Sequence, residues 1–212
     1  MAAKKPRTSV YIDGFNLYYG ALKGTPFKWL DLRALCQAYL PNNDIDHIKY
    51  FTARISARPN DPLQPARQQA YLRALSTIPV VDIIYGHYLS HKVKARLANP
   101  EPGKNPYVDI IKTEEKGSDV NLAAHLLHDA HLDRFDIAVV VSNDSDLLEP
   151  IKLARGELGK SVGILNPQKK PSRAIVPHVD FIKQIRPGAL EACQLPESIS
   201  DEHGVVRKPQ DW

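Results

Sequence analysis

Short apolar runs alternate with segments of helical spacing along most of this chain, and that alternation constrains the fold more than any other feature. The apolar runs, bounded by turn-forming residues, predict strands at Ser9–Ile12, His47–Phe51, Val81–Tyr85, Ile137–Val141, Ser161–Leu165 and Phe181–Ile185. The segments between them predict helices at Leu30–Tyr39, Pro65–Ser76, Asp119–Ala130 and Leu147–Arg155. Because strands that alternate with helices form parallel sheets with crossover helices, the sequence predicts an α/β fold.

The composition is that of a globular protein. Of the 212 residues, 43% are hydrophobic and 25% are charged, which excludes an intrinsically disordered chain. The two cysteines, Cys36 and Cys193, lie far apart and form no Cys-x-x-Cys pair, so we expect two reduced thiols. No apolar run has the length needed to span a bilayer, which predicts a cytoplasmic protein with no membrane partner.

The charge favours an anionic partner to a small degree. The net charge is +4, and basic groups gain by displacing counterions from the phosphates of a polyanion. Most basic residues are scattered, which limits this argument. The segment Ser90–Pro106 is basic and then rich in Pro, Gly and Asn, and it predicts a long surface loop.

Acidic side chains follow two of the predicted strands at the point where each strand ends. Asp13 comes at the end of the first strand in VYIDGFN, and Asp144 and Asp146 follow the strand IAVVV. The carboxyl ends of parallel strands meet at one edge of a sheet, where ligands bind. Asp119 lies in the first turn of a predicted helix, with Ser118 as its N-cap.

Carboxylates that are crowded in this way repel one another unless some are protonated or a cation neutralises them. Each aspartate taken alone is explained as well by a helix cap or a turn. Their convergence on one edge favours a site for Mg²⁺ or Mn²⁺, which prefer oxygen ligands at about 2.0–2.1 Å and keep several waters. We therefore expect a divalent metal ion at Asp13, Asp119, Asp144 and Asp146.

Three segments then resemble a known family. They are YIDGFNLYY, EEKGSDVNLAAHLLHDA and VVVSNDSDLLEPIKLARGELGKSVGIL, and in this order they resemble the sequence blocks of the NYN domain family, a branch of the PIN-like metal-dependent nucleases. The resemblance covers residues 8–186 and leaves residues 187–212 as a C-terminal extension. It implies a PIN-like doubly wound fold, with a mainly parallel sheet and helices on both faces, and an acidic pocket that binds Mg²⁺ or Mn²⁺ for RNA cleavage.

The resemblance also implies roles for individual residues. The four aspartates fall on the acidic positions of the family, Asn16 falls on the polar partner of the first, and Lys116 falls on a basic position that could stabilise charge on a phosphate. Ser142 would position water or a substrate oxygen. Asn143 and Leu147 stand where the family has Gly and Phe, and Asn143 can keep the turn because Asn tolerates left-handed conformations.

Two further residues are candidates for substrate binding. Tyr18 could stack on a base of single-stranded RNA, although core packing explains such an aromatic side chain equally well. Arg54 follows the second predicted strand at the same sheet edge and could contact a phosphate, as could Arg58, for which a solvated surface position is the simpler interpretation.

Three functions are compatible with these residues. The main prediction is a metal-dependent ribonuclease with RNA as its partner. The alternatives are a catalytically weak RNA-binding or regulatory module and an enzyme that uses the same pocket on a small phosphorylated or aromatic substrate, since a fold does not fix a function. The sequence contains no glycine-rich nucleotide-binding motif and leaves open whether the chain forms a homo-oligomer.

Overall fold

The computed structural model describes residues 4–210 and residue 212. Its strands are β1 (Arg7–Asp13), β2 (Asp44–Thr52), β3 (Val81–Tyr85), β4 (His87–Arg96), β5 (Tyr107–Lys116), β6 (Ile137–Val141), β7 (Ser161–Asn166), β8 (Phe181–Gln184), β9 (Ser198–Asp201) and β10 (Gly204–Arg207). Its α-helices are α1 (Gly14–Leu17), α2 (Leu32–Tyr39), α3 (Gln64–Leu75), α4 (Ser118–His131), α5 (Leu148–Gly156) and α6 (Pro187–Ala192). The six predicted strands and the four predicted helices are all present.

A six-stranded parallel sheet with the order β3-β2-β1-β6-β7-β8 forms the centre of the molecule. Successive side chains of a strand point to opposite faces, and β1 shows the result. Val10 and Ile12 pack into a core with α2 and α3, whereas Tyr11 packs into a second core with α4 and α5. Helices therefore cover both faces, and the predicted doubly wound α/β fold is confirmed.

The strand order reverses between β1 and β6. From β1 the chain continues to β2 on one side, while β6 pairs with β1 on the other side. In doubly wound sheets, the crevice outside the carboxyl ends of the strands at such a point is the usual ligand site. Asp13 ends β1, and Ser142 and Asp144 follow β6, so the fold places them at this crevice.

The prediction of a surface loop at Ser90–Pro106 is wrong for residues 90–96, which belong to β4, whereas residues 97–106 connect β4 to β5. Strands β4 and β5 pair antiparallel from His87 and Lys116 at one end to Arg96 and Tyr107 at the other, and they form a sheet separate from the central one. We call this two-stranded projection the arm. Along β4, residues 92–96 alternate between basic and apolar side chains, with Val93 paired opposite Ile110, as expected for a strand with one apolar face.

Residues 187–212, treated above as an extension, pack against the rest of the chain. Leu190 in α6 and Val206 in β10 are buried in the same core as α2 and α3. The ring of Trp212 lies 6.4 Å from that of Trp29, measured between centroids. Val205, by contrast, is 55% exposed. Across the described residues, no helix is both long enough and apolar enough to cross a membrane.

Candidate active site

Asp13 occupies the central position at the carboxyl edge of the sheet. Its side chain is only 4% exposed, and it caps the short helix α1 by accepting a hydrogen bond from the backbone N–H of Asn16 at 2.8 Å. The other carboxylate oxygen accepts a hydrogen bond from Oγ of Ser142 at 2.9 Å. The two strand ends are thus joined through Asp13, whose carboxylate has a fixed orientation.

The turn after β6 is held by a second set of hydrogen bonds. Oγ of Ser142 accepts from the backbone N–H of Asp144 at 3.1 Å, and Oδ1 of Asn16 accepts from the backbone N–H of Asn143 at 3.1 Å. Asp144 in turn accepts from the backbone N–H of Asp146 at 3.0 Å. Asn16 and Ser142 therefore position the turn that carries the two aspartates.

Asp119 enters the site from the start of helix α4. Gly117 precedes this helix with φ of 100°, a left-handed conformation that Gly adopts without strain. Glu115 accepts hydrogen bonds from the backbone N–H of Ser118 at 3.1 Å and from its Oγ at 2.6 Å, so Glu115 caps the helix. Within the described chain the side chain of Asp119 accepts no hydrogen bond.

The aspartates are close enough to affect one another's ionisation. Partial burial raises the pKa of Asp119 to about 6, and the charges of Asp13, Asp144, Glu115 and Asp146 add to this rise. Burial also raises the pKa of Asp13, as does the charge of Asp144, while the hydrogen bonds from Asn16 and Ser142 oppose the change. We refer to Asp13, Asp119, Asp144 and Asp146 as the acidic cluster.

The acidic cluster offers only carboxylate oxygens as ligands, which suit a divalent cation such as Mg²⁺. Within the described residues, no three acidic, histidine or cysteine side chains are placed to hold one metal ion together. Mg²⁺ commonly binds through one or two carboxylates and keeps its other waters. An ion held by one or two of these carboxylates, with water as its other ligands, would match this arrangement, because half-buried Asp119 accepts no hydrogen bond within the described chain.

Lys116, Arg54 and Tyr18, the other residues that the sequence predicted for the site, lie in three different parts of the structure. Lys116 is an exposed residue at the end of the arm, with Nζ 3.4 Å from Oε2 of Glu114. The guanidinium of Arg54 lies 5.1 Å from the centroid of the Tyr85 ring, beside a different groove formed with α3 and β9. Tyr18 lines a cavity next to the acidic cluster.

We call this cavity the aromatic cavity. It has a volume of about 200 Å³ and lies beside Gly14, the residue after Asp13. Its aromatic lining residues are Phe15, Tyr18, Tyr19, Tyr50, Tyr71, Tyr88 and Trp212. Burial raises the pKa of Tyr50, and the charge of Asp13 raises it further, which shows how near the cavity lies to the acidic cluster.

The sequence predicted Tyr18 as a substrate-binding residue, but it did not predict most of the other residues that line the cavity. Tyr50 belongs to β2, Tyr71 to α3 and Tyr88 to β4, and no spacing in the sequence links them. The one local signal is YY at Tyr18 and Tyr19, which open a π-helix over Tyr18–Leu22. The wide π turn, closed by a bond from the N–H of Lys23 to the carbonyl of Tyr18, brings both rings to the cavity. Such turns are frequent at functional sites.

Comparisons with known proteins agree with this architecture. A crystal structure of the protein of unknown function VPA0982 from Vibrio parahaemolyticus aligns with a TM-score of 0.59 at 14% identity, over 88% of this chain and 97% of that one. The 6-hydroxy-3-succinoylpyridine 3-monooxygenase HspA of Pseudomonas putida is 36% identical over 97% of this chain and 75% of its own length. Residues 7–183 match the NYN domain, and the chain therefore belongs to the NYN domain family.

Proposed function

We propose that this protein is an enzyme of the monooxygenase type, which inserts one atom of dioxygen into a small aromatic compound beside the acidic cluster. The observation that carries the proposal is the 36% identity to 6-hydroxy-3-succinoylpyridine 3-monooxygenase, which extends over 97% of this chain. The proposal takes up the small-molecule alternative from the sequence in preference to the ribonuclease.

The shape of the site supports a small substrate. The aromatic cavity has a volume of about 200 Å³, roughly that of seven water molecules at ~30 Å³ each, which accommodates one ring with a short substituent. Aromatic side chains surround it, and Gly14 connects it to Asp13. Charged and polar side chains, among them Arg58, Asp61 and Gln68, line the cavity as well, and small-molecule sites commonly combine aromatic walls with polar groups that orient the ligand.

The chemistry balances with two co-reactants. Dioxygen is the oxidant, and a hydride donor such as a reduced nicotinamide supplies two electrons. In overall balance, ring–H, O₂, NADH and H⁺ give ring–OH, NAD⁺ and H₂O. The carbon–hydrogen bond at the attacked ring carbon breaks and its hydrogen leaves as a proton, one oxygen atom forms the new carbon–oxygen bond, and the other leaves as water. A ring that carries a hydroxyl group becomes more electron-rich when that hydroxyl loses its proton, and this activates the ring toward oxygen insertion.

The residues of the acidic cluster have distinct parts in this scheme. Asp119 accepts the ring hydroxyl proton, because it is a half-buried carboxylate of the cluster that accepts no hydrogen bond within the described chain. Asp13 and Asp144 would hold Mg²⁺ or Mn²⁺, with Asp146 at the rim. When bound, the ion would supply Lewis acidity toward an oxygen ligand. Ser142 and Asn16 keep the carboxylates in position.

One experiment tests the reaction directly. The protein is incubated with 6-hydroxy-3-succinoylpyridine, NADH and ¹⁸O₂, with Mg²⁺ or Mn²⁺, and the product is analysed by mass spectrometry. We expect one ¹⁸O atom in the product and NADH oxidation that depends on the substrate. Asp144→Asn should lose at least ~100-fold of the rate. Asp44→Asn, a matched change at the opposite end of the sheet, should retain it. A product without ¹⁸O would refute monooxygenation.

A ribonuclease remains the second candidate, and a specific feature favours it. Lys92, Lys94 and Arg96 alternate along β4 and so share one face of the arm, where they could contact phosphates. The same preparations are therefore incubated with single-stranded and structured RNA. RNA cleavage that requires Mg²⁺ or Mn²⁺ and disappears in Asp144→Asn, with no turnover of the pyridine, would favour the nuclease over the monooxygenase.

A further inference from the structure

We infer that the aromatic cavity binds an aromatic ring that carries a carboxylate arm, and that Arg58 receives the carboxylate at the mouth of the cavity. The inference rests on the proposed function, because it names the class of substrate and the place where that substrate binds. It adds a binding residue, Arg58, that lies outside the acidic cluster.

The walls of the cavity are arranged to hold a flat ring. The rings of Phe15 and Tyr88 meet edge to face, with centroids 6.1 Å apart and an interplanar angle of 83°. Those of Tyr18 and Tyr19 meet at 80° with centroids 5.2 Å apart. Perpendicular pairs present both faces and edges, so a ligand ring can make the edge-to-face and offset contacts that aromatic groups prefer.

Glycine at position 14 allows the cavity to lie against the acidic cluster. A Cβ atom at this position would lie 2.7 Å from the Tyr50 hydroxyl oxygen and 2.8 Å from the carbonyl oxygen of Phe51, closer than atoms can approach. The backbone that follows Asp13 therefore forms part of the cavity wall, with no side chain between. A ring in the cavity lies next to Asp13, where the proposed reaction takes place.

The charges around the cavity select the ligand. Among the described lining residues, Lys28, Arg58 and Arg67 are basic and Asp61 is the acidic one. Asp61 forms an ion pair with Arg67. Arg58 forms no ion pair within the described chain, and it is near enough to Tyr18 and Tyr88 to influence the ionisation of both. An exposed guanidinium beside aromatic walls favours an anionic group, which a planar carboxylate matches with two parallel hydrogen bonds.

Binding is measured without turnover, by isothermal titration calorimetry in chelator and in the absence of NADH. The probes are 6-hydroxy-3-succinoylpyridine, its methyl ester, and adenosine monophosphate as a representative nucleotide. We expect the acid to bind at least about tenfold more tightly than the ester, because the ester cannot form the two charge-assisted hydrogen bonds, and more tightly than the nucleotide. Equal affinity for acid and ester, or preference for the nucleotide, would overturn the inference.

Variants locate the site. Arg58→Gln should lose about tenfold in affinity for the acid and leave the affinity for the ester unchanged. Arg54→Gln is the matched control, because Arg54 belongs to the same segment but lies over Tyr85 and outside the aromatic cavity. Tyr88→Ala should weaken the acid and the ester alike. If Arg54→Gln weakens the acid and Arg58→Gln does not, the carboxylate binds elsewhere.

The outcomes separate this inference from the proposed function. If binding follows the expected pattern but no ¹⁸O enters the product, the cavity assignment holds and monooxygenation fails. If ¹⁸O is incorporated while Arg58→Gln leaves the KM for the acid unchanged, the reaction stands and the cavity assignment fails.

Discussion

Asp119 should make the stability of the protein depend on pH. Its folded-state pKa is raised from 3.8 to about 6, because partial burial and the neighbouring carboxylates disfavour its charge. Between these values the folded state binds more protons than the unfolded state, so the free energy of unfolding falls as pH rises. Replacement by Asn removes this penalty, and we expect Asp119→Asn to be more stable than the wild type above pH 6, by about 1–2 kcal/mol after solvent screening.

The measurement is urea unfolding of wild type and Asp119→Asn in chelator at pH 4 and pH 8. The difference in unfolding free energy between Asp119→Asn and the wild type should be small at pH 4, because the wild-type carboxyl is then largely protonated in the folded state. It should reach its full value at pH 8. Asp44→Asn, on an exposed residue at the start of β2, controls for the loss of one negative charge. A stabilisation that is the same at both pH values would show that Asp119 does not carry the penalty.

Gly14 offers a steric test of the close approach between backbone and cavity. Gly14→Ala places a methyl group against the ring of Tyr50 and the carbonyl of Phe51, both in the buried interior. We expect a loss of about 1–3 kcal/mol in unfolding free energy and a lower affinity for the aromatic acid. The matched control is Gly156→Ala at the end of α5, where the added methyl group meets no atom within 4 Å. If Gly14→Ala and Gly156→Ala changed the unfolding free energy and the affinity for the aromatic acid equally, the close packing at Gly14 would not be what limits either property.

At the scale of elements, the sequence predicted the central sheet well because its inner strands β1, β6 and β7 are buried on both faces. Ile137–Val141 is an uninterrupted apolar run, and its predicted bounds coincide with β6. The arm was missed because its two strands are largely exposed and its loop is rich in Pro and Gly. A signal was present: Val93, Ala95 and Leu97 alternate with Lys92, Lys94 and Arg96, a period of two that is typical of a strand with one apolar face.

The arm should be dispensable for folding. Most of its residues are exposed, and they pair with each other. We expect a protein in which residues 92–111 are replaced by an Asn-Gly turn, joining His91 to its cross-strand partner Lys112, to remain folded with a Tm within about 3 °C of the wild type. Tyr88, at the base of the arm, is retained, so binding of the aromatic acid should be unchanged. A loss of more than about 10 °C would show that the arm stabilises the central domain.

A buried ion pair joins the sheet to helix α4. Lys49 of β2 pairs with Asp129 of α4, which also accepts hydrogen bonds from Tyr11 at 2.8 Å and from Arg134 at 2.9 Å. Lys49→Met would leave a buried carboxylate with fewer partners, and we expect a loss of about 3 kcal/mol in unfolding free energy. Lys92→Met, which breaks an exposed pair on the arm, should change it by less than ~1 kcal/mol. Chemical denaturation of both variants measures the two losses in unfolding free energy. Equal losses would contradict the expectation that the buried pair contributes more than the exposed one.

At the scale of the whole molecule, the two parts of the site differ in how far sequence could predict them. Asp13, Asp144 and Asp146 follow from strand ends, because a parallel sheet brings the ends of β1 and β6 together whatever the loops do. Asp119, by contrast, comes from the first turn of α4. The aromatic cavity has no such rule. Its walls come from the segment after β1, from β2, α3 and β4, and from Trp212, so only the completed fold brings them together.

Mg²⁺ should stabilise the whole fold if the acidic cluster is a metal site, since a ligand that binds only the folded state raises the free energy of unfolding. At an ion concentration about 100 times the dissociation constant the gain is about 2.7 kcal/mol, which for a chain of this length raises Tm by roughly 5–10 °C. Burial and the neighbouring carboxylates together raise the pKa of Asp119, and the ion offsets the contribution of those carboxylates, so the advantage of Asp119→Asn at pH 8 should shrink. Differential scanning calorimetry with MgCl₂, against NaCl of equal ionic strength, measures both effects. Asp144→Asn should lose most of the shift and Asp44→Asn should keep it; an equal shift in both variants would place the bound ion away from the acidic cluster.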